Sequence, residues 1–106
     1  MKKFIINSAF DMHLHLRDND MLKFVAPLTS KSFVGALIMP NLLPPITTKE
    51  ALLSYKQRIQ EACKEDIFTP YVTIFFQVDY SYSFLKDIKD EIIAVKLYPF
   101  GVTTNS

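Results

Sequence analysis

Apolar and polar residues alternate from Ala9 to Leu16, which predicts a strand with one dry face and one wet face. From Asp20 to Ser30 the rhythm changes. Met21, Leu22, Phe24, Val25 and Leu28 recur near helical spacing, and Pro27 disturbs the end of that helix. "FVGALIM", Phe33 to Met39, is apolar on both faces, as suits a buried parallel strand. "PNLLPP" follows as a stiff, proline-rich loop. "TTKEALLSYKQRIQEACK" is the clearest helix: Thr47 with Glu50 matches a capping box, and Ala51, Leu52, Tyr55, Ile59 and Ala62 form its apolar stripe. A third strand is expected over Tyr71–Val78, a short helix within "SYSFLKDIKDE", and a fourth strand over Ile92–Leu97.

Strands and helices therefore alternate along the whole chain. That order argues for an α/β architecture of parallel strands joined by right-handed crossovers. Both an open doubly wound sheet and part of an eight-stranded barrel satisfy it, and periodicity does not choose between them.

Composition narrows the class of protein. The chain has 106 residues, 49% hydrophobic and 22% charged, which suits one small globular domain. A net charge of +1 leaves no basic footprint for nucleic acid or for an acidic membrane surface. The single cysteine, Cys63, excludes an intrachain disulfide and fits a reducing compartment; it reads as a passive, half-buried thiol. The apolar stretch after Met1 is too short for a secretory signal, and no run is long enough to span a bilayer, so a soluble cytoplasmic protein is expected. Only two glycines are present, fewer than a complete all-β domain of this length spends on turns.

Several polar residues sit where this pattern does not ask for them. His13, His15 and Arg17 share the wet parity of the first strand, with Met12, Leu14 and Leu16 opposite, ready to pack on helices. Residues two apart on a strand are roughly 6–7 Å apart. Two imidazoles at that spacing can lean onto one metal ion, and an arginine beside them offers a fork of donors to a carboxylate. A solvent-facing edge strand would show the same residues. Lys96 lies inside "IIAVKLY", where a buried ammonium is costly. It either snorkels to water from the strand end or captures carbon dioxide as a carbamate able to bridge metals. Asn41, after Pro40, is either a turn residue or an amide that donates to a ligand carboxylate beside Arg17. Thr103, Thr104 and Asn105 are hydrogen-bonding groups of a covering loop or simply a polar loop. Asp11 suits an acceptor for an imidazole or a strand-end cap, and Asp18 and Asp20 suit a helix start. The aromatic run Tyr71, Phe75, Phe76, Tyr80 and Tyr82 reads as core and rim.

"DMHLHLRD", "MPNLLPPITT" and "KLYPFGVTTNS" together resemble the N-terminal part of the dihydroorotases, within the amidohydrolase superfamily, in the compact bacterial form. The resemblance covers the chain in order from end to end. It implies the first four or so βα units of a (β/α)₈ TIM-like barrel, with a binuclear zinc centre at the C-terminal mouth. His13 and His15 would ligate the more buried zinc, and carbamylated Lys96 would bridge both ions. Arg17 and Asn41 would hold the carboxylate of N-carbamoyl-L-aspartate or dihydroorotate, and Thr103 and Thr104 would lie near the substrate. The activity implied is reversible closure of that cyclic amide in pyrimidine synthesis, by a cytoplasmic homodimer.

The family also uses two further histidines and a catalytic aspartate from later strands, whereas this sequence has two histidines in all. The expectation is therefore that residues 1–106 form the N-terminal segment of a longer enzyme and are inactive alone. Another cyclic amidohydrolase, of the dihydropyrimidinase or allantoinase kind, is the nearest alternative. A non-catalytic metal-binding half-barrel is the other.

Overall fold

The computed structural model describes residues 2–98. Its elements run β1 (Phe10–Leu14), α1 (Asn19–Ser30), β2 (Gly35–Ile38), α2 (Lys49–Ala62), β3 (Thr69–Phe75), α3 (Tyr82–Ile88) and β4 (Ala94–Lys96). The strands form one four-stranded sheet in the order β1-β2-β3-β4, with every neighbouring pair parallel. A doubly wound sheet would reverse its strand order at a switch point. Here the order never reverses, which is the strand order of part of a barrel and not of a doubly wound sheet.

Each helix starts at a side-chain cap. Asp18 accepts from the Asn19 N–H at 2.8 Å, Thr48 from Ala51 at 3.2 Å and Ser81 from Phe84 at 3.0 Å. The cap of α2 is thus Thr48, not Thr47 as the capping box suggested. The third helical position falls on Ala51, and Glu50 serves only as a first-turn acid facing the positive end of the helix dipole. Pro27 sits inside α1, which continues to Ser30.

The core lies between one face of the sheet and the helices. Leu16, Ala36, Ile38, Val72 and Ile74 meet Leu22, Ala26, Leu52, Tyr55, Ile59 and Ile88 there. The apolar stripe expected on α1 is only partly used. Leu22 and Ala26 are buried, but Met21, Phe24 and Leu28 face outward, away from α2, against which α1 packs. Among the described residues, no helix is long and apolar enough to cross a membrane.

β1 departs from simple alternation. Asp11 pairs with Ala36 and Leu14 with Ile38, so β1 spends one residue more than β2 over that stretch. This bulge ends the row expected along one side of the strand. Met12 turns outward instead of packing on helices, while Leu14 and Leu16 reach the core. Asp11 accepts from the backbone N–H of His13 at 3.0 Å, so it caps the bulge and does not orient an imidazole.

β4 is not the buried strand that its sequence suggested. Ala94 and Val95 are exposed, and Lys96 is half-buried. Cys63, by contrast, is buried and not half-buried; burial, with the Asp66 carboxylate nearby, pushes its thiol above the usual range, against a smaller opposing pull from the Ser30 hydroxyl. The aromatic residues divide as core and rim: Tyr80 packs on the core, whereas Tyr82 is exposed.

Gly35 shows why a small residue is needed on the concave face of β2. The Phe10 ring crosses over it to meet Tyr71, with centroids 5.5 Å apart. A Cβ on Gly35 would lie 2.9 Å from both the Phe10 ring and the Thr69 carbonyl oxygen. The ring can swing away, but the carbonyl belongs to the ladder. Gly35→Ala should therefore destabilise the fold by about 1–3 kcal/mol, read as a lower urea midpoint with an unchanged slope.

Candidate functional site

Because all strands are parallel, their carboxyl ends lie on one rim, and the polar residues singled out above follow those ends. His15 and Arg17 come after β1, Asn41 after β2, and Lys96 closes β4. Thr103, Thr104 and Asn105 lie outside the described residues.

The bulge and the end of β1 bring the imidazoles of His13 and His15 together. Their Nε2 atoms are 3.1 Å apart, with ring centroids at 5.0 Å. Two nitrogen donors sharing one tetrahedral zinc at about 2.0–2.1 Å each would stand roughly 3.3 Å apart, so the pair has the bite of a chelate. A hydrogen bond between two neutral rings has the same spacing. Burial, followed by the charges of His13, Arg17 and Lys96, lowers the pKa of His15 below its usual value. All of these causes favour the neutral ring, which is the form that can bind a metal.

Lys96 reaches toward the same place. Its Nζ lies 3.4 Å from the Met39 Sδ and 5.3 Å from the centre of the Tyr98 ring. Among the described residues no carboxylate is within ion-pair distance of it. No cluster of three or more His, Cys, Asp or Glu side chains able to hold a metal occurs among the described residues. The donors present, two converging imidazoles beside a lysine, fit part of a metal site, one ligand short of the usual three protein ligands of catalytic zinc.

Arg17 is not the third member of a strand row. It lies beyond β1 with φ of +57°, the left-handed region that a non-glycine residue enters at a cost of about 1–3 kcal/mol. Three contacts surround this turn. The Tyr55 hydroxyl, from α2, donates to the Arg17 carbonyl at 2.6 Å. Arg58, one turn further along α2, grips the Asp18 carboxylate with two bonds, Nε to Oδ1 at 2.8 Å and Nη2 to Oδ2 at 2.7 Å. Its Nη1 also donates to Ser54 at 2.5 Å. Burial pushes the Tyr55 hydroxyl well above the usual phenol range, as does the Asp18 charge, so it stays a proton donor. Sequence reading missed Tyr55 and Arg58, because a tyrosine on an apolar stripe and an arginine on a wet helix face carry no local signal of a partner roughly 40 residues away in the chain.

The loop after β2 is pinned from the other side. Tyr80 donates to the carbonyls of Phe75 at 2.7 Å and Thr47 at 3.0 Å, tying the loops after β3 and β2 together. Ile46 and Leu42 both donate to the Pro40 carbonyl at 3.0 Å. Asn41 is buried within this loop, and its Oδ1 has no hydrogen-bond partner. A buried amide oxygen left unpaired costs about 1–3 kcal/mol. Arg17 and Asn41 share the wall of a cavity of about 370 Å³ with Leu42, Pro44 and Arg58, and the histidines and Lys96 are not among its lining residues. The structure thus gathers two subsets, His13 and His15 with Lys96 at the rim, and Arg17 with Asn41 in the wall of the neighbouring cavity. The charges of Arg17 and Lys96 both act on His15, which joins them.

No family model matches the chain. Curated relatives do. It is 45% identical to the dihydroorotase of Shewanella sediminis and 46% identical to that of Neisseria meningitidis serogroup B, over 108 aligned residues and the whole of this chain in each case. The chain spans 31% of the length of each of these relatives. Among solved structures, the dihydroorotase of Campylobacter jejuni superposes with a TM-score of 0.90 at 55% identity, over 93% of this chain and 29% of that one. The dihydroorotase of Saccharomyces cerevisiae, solved in complex with 5-fluoroorotic acid, superposes with a TM-score of 0.82 at 34% identity, over 93% and 28%.

The Asp18–Arg58 pair should leave a mark on acid unfolding. Burial alone would raise the Asp18 carboxyl, but the Arg58 hydrogen bonds, the Asn19 N–H and the guanidinium charge outweigh it and lower its pKa below the usual value. A depressed carboxyl contributes stability above its unfolded pKa and loses it as pH falls through the folded one. Both side chains are partly exposed, at 39% for Arg58 and 23% for Asp18, so solvent screening reduces the pair's worth. Asp18→Asn should cost about 1 kcal/mol at neutral pH and flatten the stability profile below pH ~4. Parallel profiles for the two proteins would disprove this.

Proposed function

Since the chain carries, along its whole length, the N-terminal segment of the dihydroorotase family, we propose that the protein acts as a dihydroorotase, interconverting N-carbamoyl-L-aspartate and dihydroorotate. The observation that carries the reading is the convergence of His13 and His15 to 3.1 Å at the same rim as Lys96, Arg17 and Asn41.

In this reading His13, His15 and Lys96, the last as a carbamate, are the residues of this chain that would hold zinc. Bound zinc would supply a Lewis acid for the amide carbonyl that opens or closes. Carbamylation of Lys96 would form a bond from Nζ to the carbon of carbon dioxide and release two of the three ammonium protons, leaving one N–H, so a cation becomes an anion. That change suits a rim where every charge acting on His15 is positive. The neutral form of His15 keeps its ring lone pair available.

Arg17 presents a rigid fork of donors to the substrate carboxylate. Asn41 lies in the same cavity wall, and the unpaired Oδ1 of its buried amide supports a ligand that both donates and accepts there. A ring amide N–H beside a carboxylate offers both. The yeast relative's ligand, 5-fluoroorotic acid, is likewise a ring bearing a carboxylate. A cyclic amide without a carboxylate would leave Arg17 unpaired, which favours dihydroorotate over uncharged rings. The reading extends to a cytoplasmic homodimer in which further strands close the barrel and complete the ligand set.

The test uses the full-length protein. Arg17→Ala should raise KM for dihydroorotate by roughly 10- to 100-fold, as expected for losing hydrogen bonds to a charged group. Unchanged KM and kcat would overturn the assignment. Metal analysis of the purified protein should find two zinc ions per chain, and His13→Ala together with His15→Ala should lower that content. Metal content unaffected by the double substitution would remove the histidines from the site.

A further inference from the structure

We propose that Tyr55 and the Asp18–Arg58 pair are positioning residues for Arg17: contacts from α2 hold its backbone in the left-handed region and so aim its guanidinium at the ligand carboxylate. The inference rests on the assignment of Arg17 to that carboxylate made above.

Both neighbours of Arg17 in the chain are fixed. Leu16 is 1% exposed and locked in the core. Asp18 is held as the cap of α1 in extended backbone, φ −148° and ψ 176°, with its carboxylate in the fork of Arg58. Arg17 spans these two anchors with a φ that its own side chain disfavours, and Asn19 repeats the left-handed turn at φ +54°. A left-handed residue turns its carbonyl away from the direction a strand would give it. At Arg17 that carbonyl meets the hydroxyl of Tyr55, a residue 2% exposed and fixed by the core around it. The Arg17 side chain itself is exposed and borders the cavity with Asn41. The backbone is over-determined while the guanidinium stays available.

Removing the hydroxyl leaves the half-buried Arg17 carbonyl without its donor. The peptide can then relax toward ordinary backbone angles, which swings the side chain off the cavity. Neither Tyr55 nor Arg58 needs to touch the ligand for this to happen.

A double-mutant cycle on the full-length protein separates this role from general structural support. With Arg17 present, Tyr55→Phe should raise KM for dihydroorotate roughly tenfold and leave kcat within about twofold. In an Arg17→Ala background the same substitution should raise KM by no more than about twofold, because the group it positions is gone. An equal rise in both backgrounds, or no rise with Arg17 present, would overturn the proposal. If Tyr55→Phe does not fold, Arg58→Lys enters the same cycle, since it keeps the charge and loses the two-bond fork; the same two outcomes decide. If the native protein does not turn over dihydroorotate, that failure belongs to the functional reading. The clamp is then read from the ¹³C shift of the Arg17 carbonyl, which should move upfield in Tyr55→Phe; an unmoved resonance would overturn it.

Discussion

Four strands hydrogen-bonded in chain order, all pointing the same way, put every carboxyl end on one rim. The rest of the site depends on this constraint. A parallel pair cannot be joined by a tight turn, so each connection must carry a helix back across one face. That face becomes the dry core, and the polar groups gather beyond the strand ends, at the rim. Residues as distant in the chain as His13 and Lys96 then come close enough for the charge of Lys96 to bear on His15.

The rim is held by contacts that do not belong to it. The bulge in β1 ends strict alternation and lets the two imidazoles converge, with the Asp11 carboxylate taking up the His13 backbone N–H. Tyr55 and Arg58 fasten the turn after β1 from α2, and Tyr80 fastens the loop after β2 from the far side of β3. Each of these anchors is an amphipathic side chain whose apolar body packs on core or ring while its polar tip reaches a backbone carbonyl or a carboxylate. The loops that present Arg17 and Asn41 are therefore positioned by the helix layer beneath them, even though both lie at the surface end of the sheet.

The charges that bear on His15 share one sign. The charges that act on His15 come from His13, Arg17 and Lys96. That setting favours the neutral ring of His15 and suits an anion nearby, as the proposed ligand carboxylate or carbamate on Lys96 would be. The unpaired amide oxygen of Asn41 adds a different demand, since a buried acceptor calls for a donor on whatever occupies the cavity.

Much of this was legible in the sequence because it is local. Alternation in "DMHLHL", the two-faced apolar run "FVGALIM" and the stripe through Leu52, Tyr55 and Ile59 determined strand, buried strand and amphipathic helix, and the alternation of elements determined a parallel α/β fold. The polar residues that break those patterns, His13, His15, Arg17, Asn41 and Lys96, marked the rim. What the tertiary structure alone decided is how those residues meet. The bulge, the left-handed turn at Arg17 and the outward face of α1 follow from pairing register and from which side of each element finds a partner. Tyr55 and Arg58 reach their partners across roughly 40 residues of chain, and no periodicity within α2 encodes that contact. Periodicity reports which face of an element is dry, while the direction of a single side chain depends on what the rest of the fold sets opposite it.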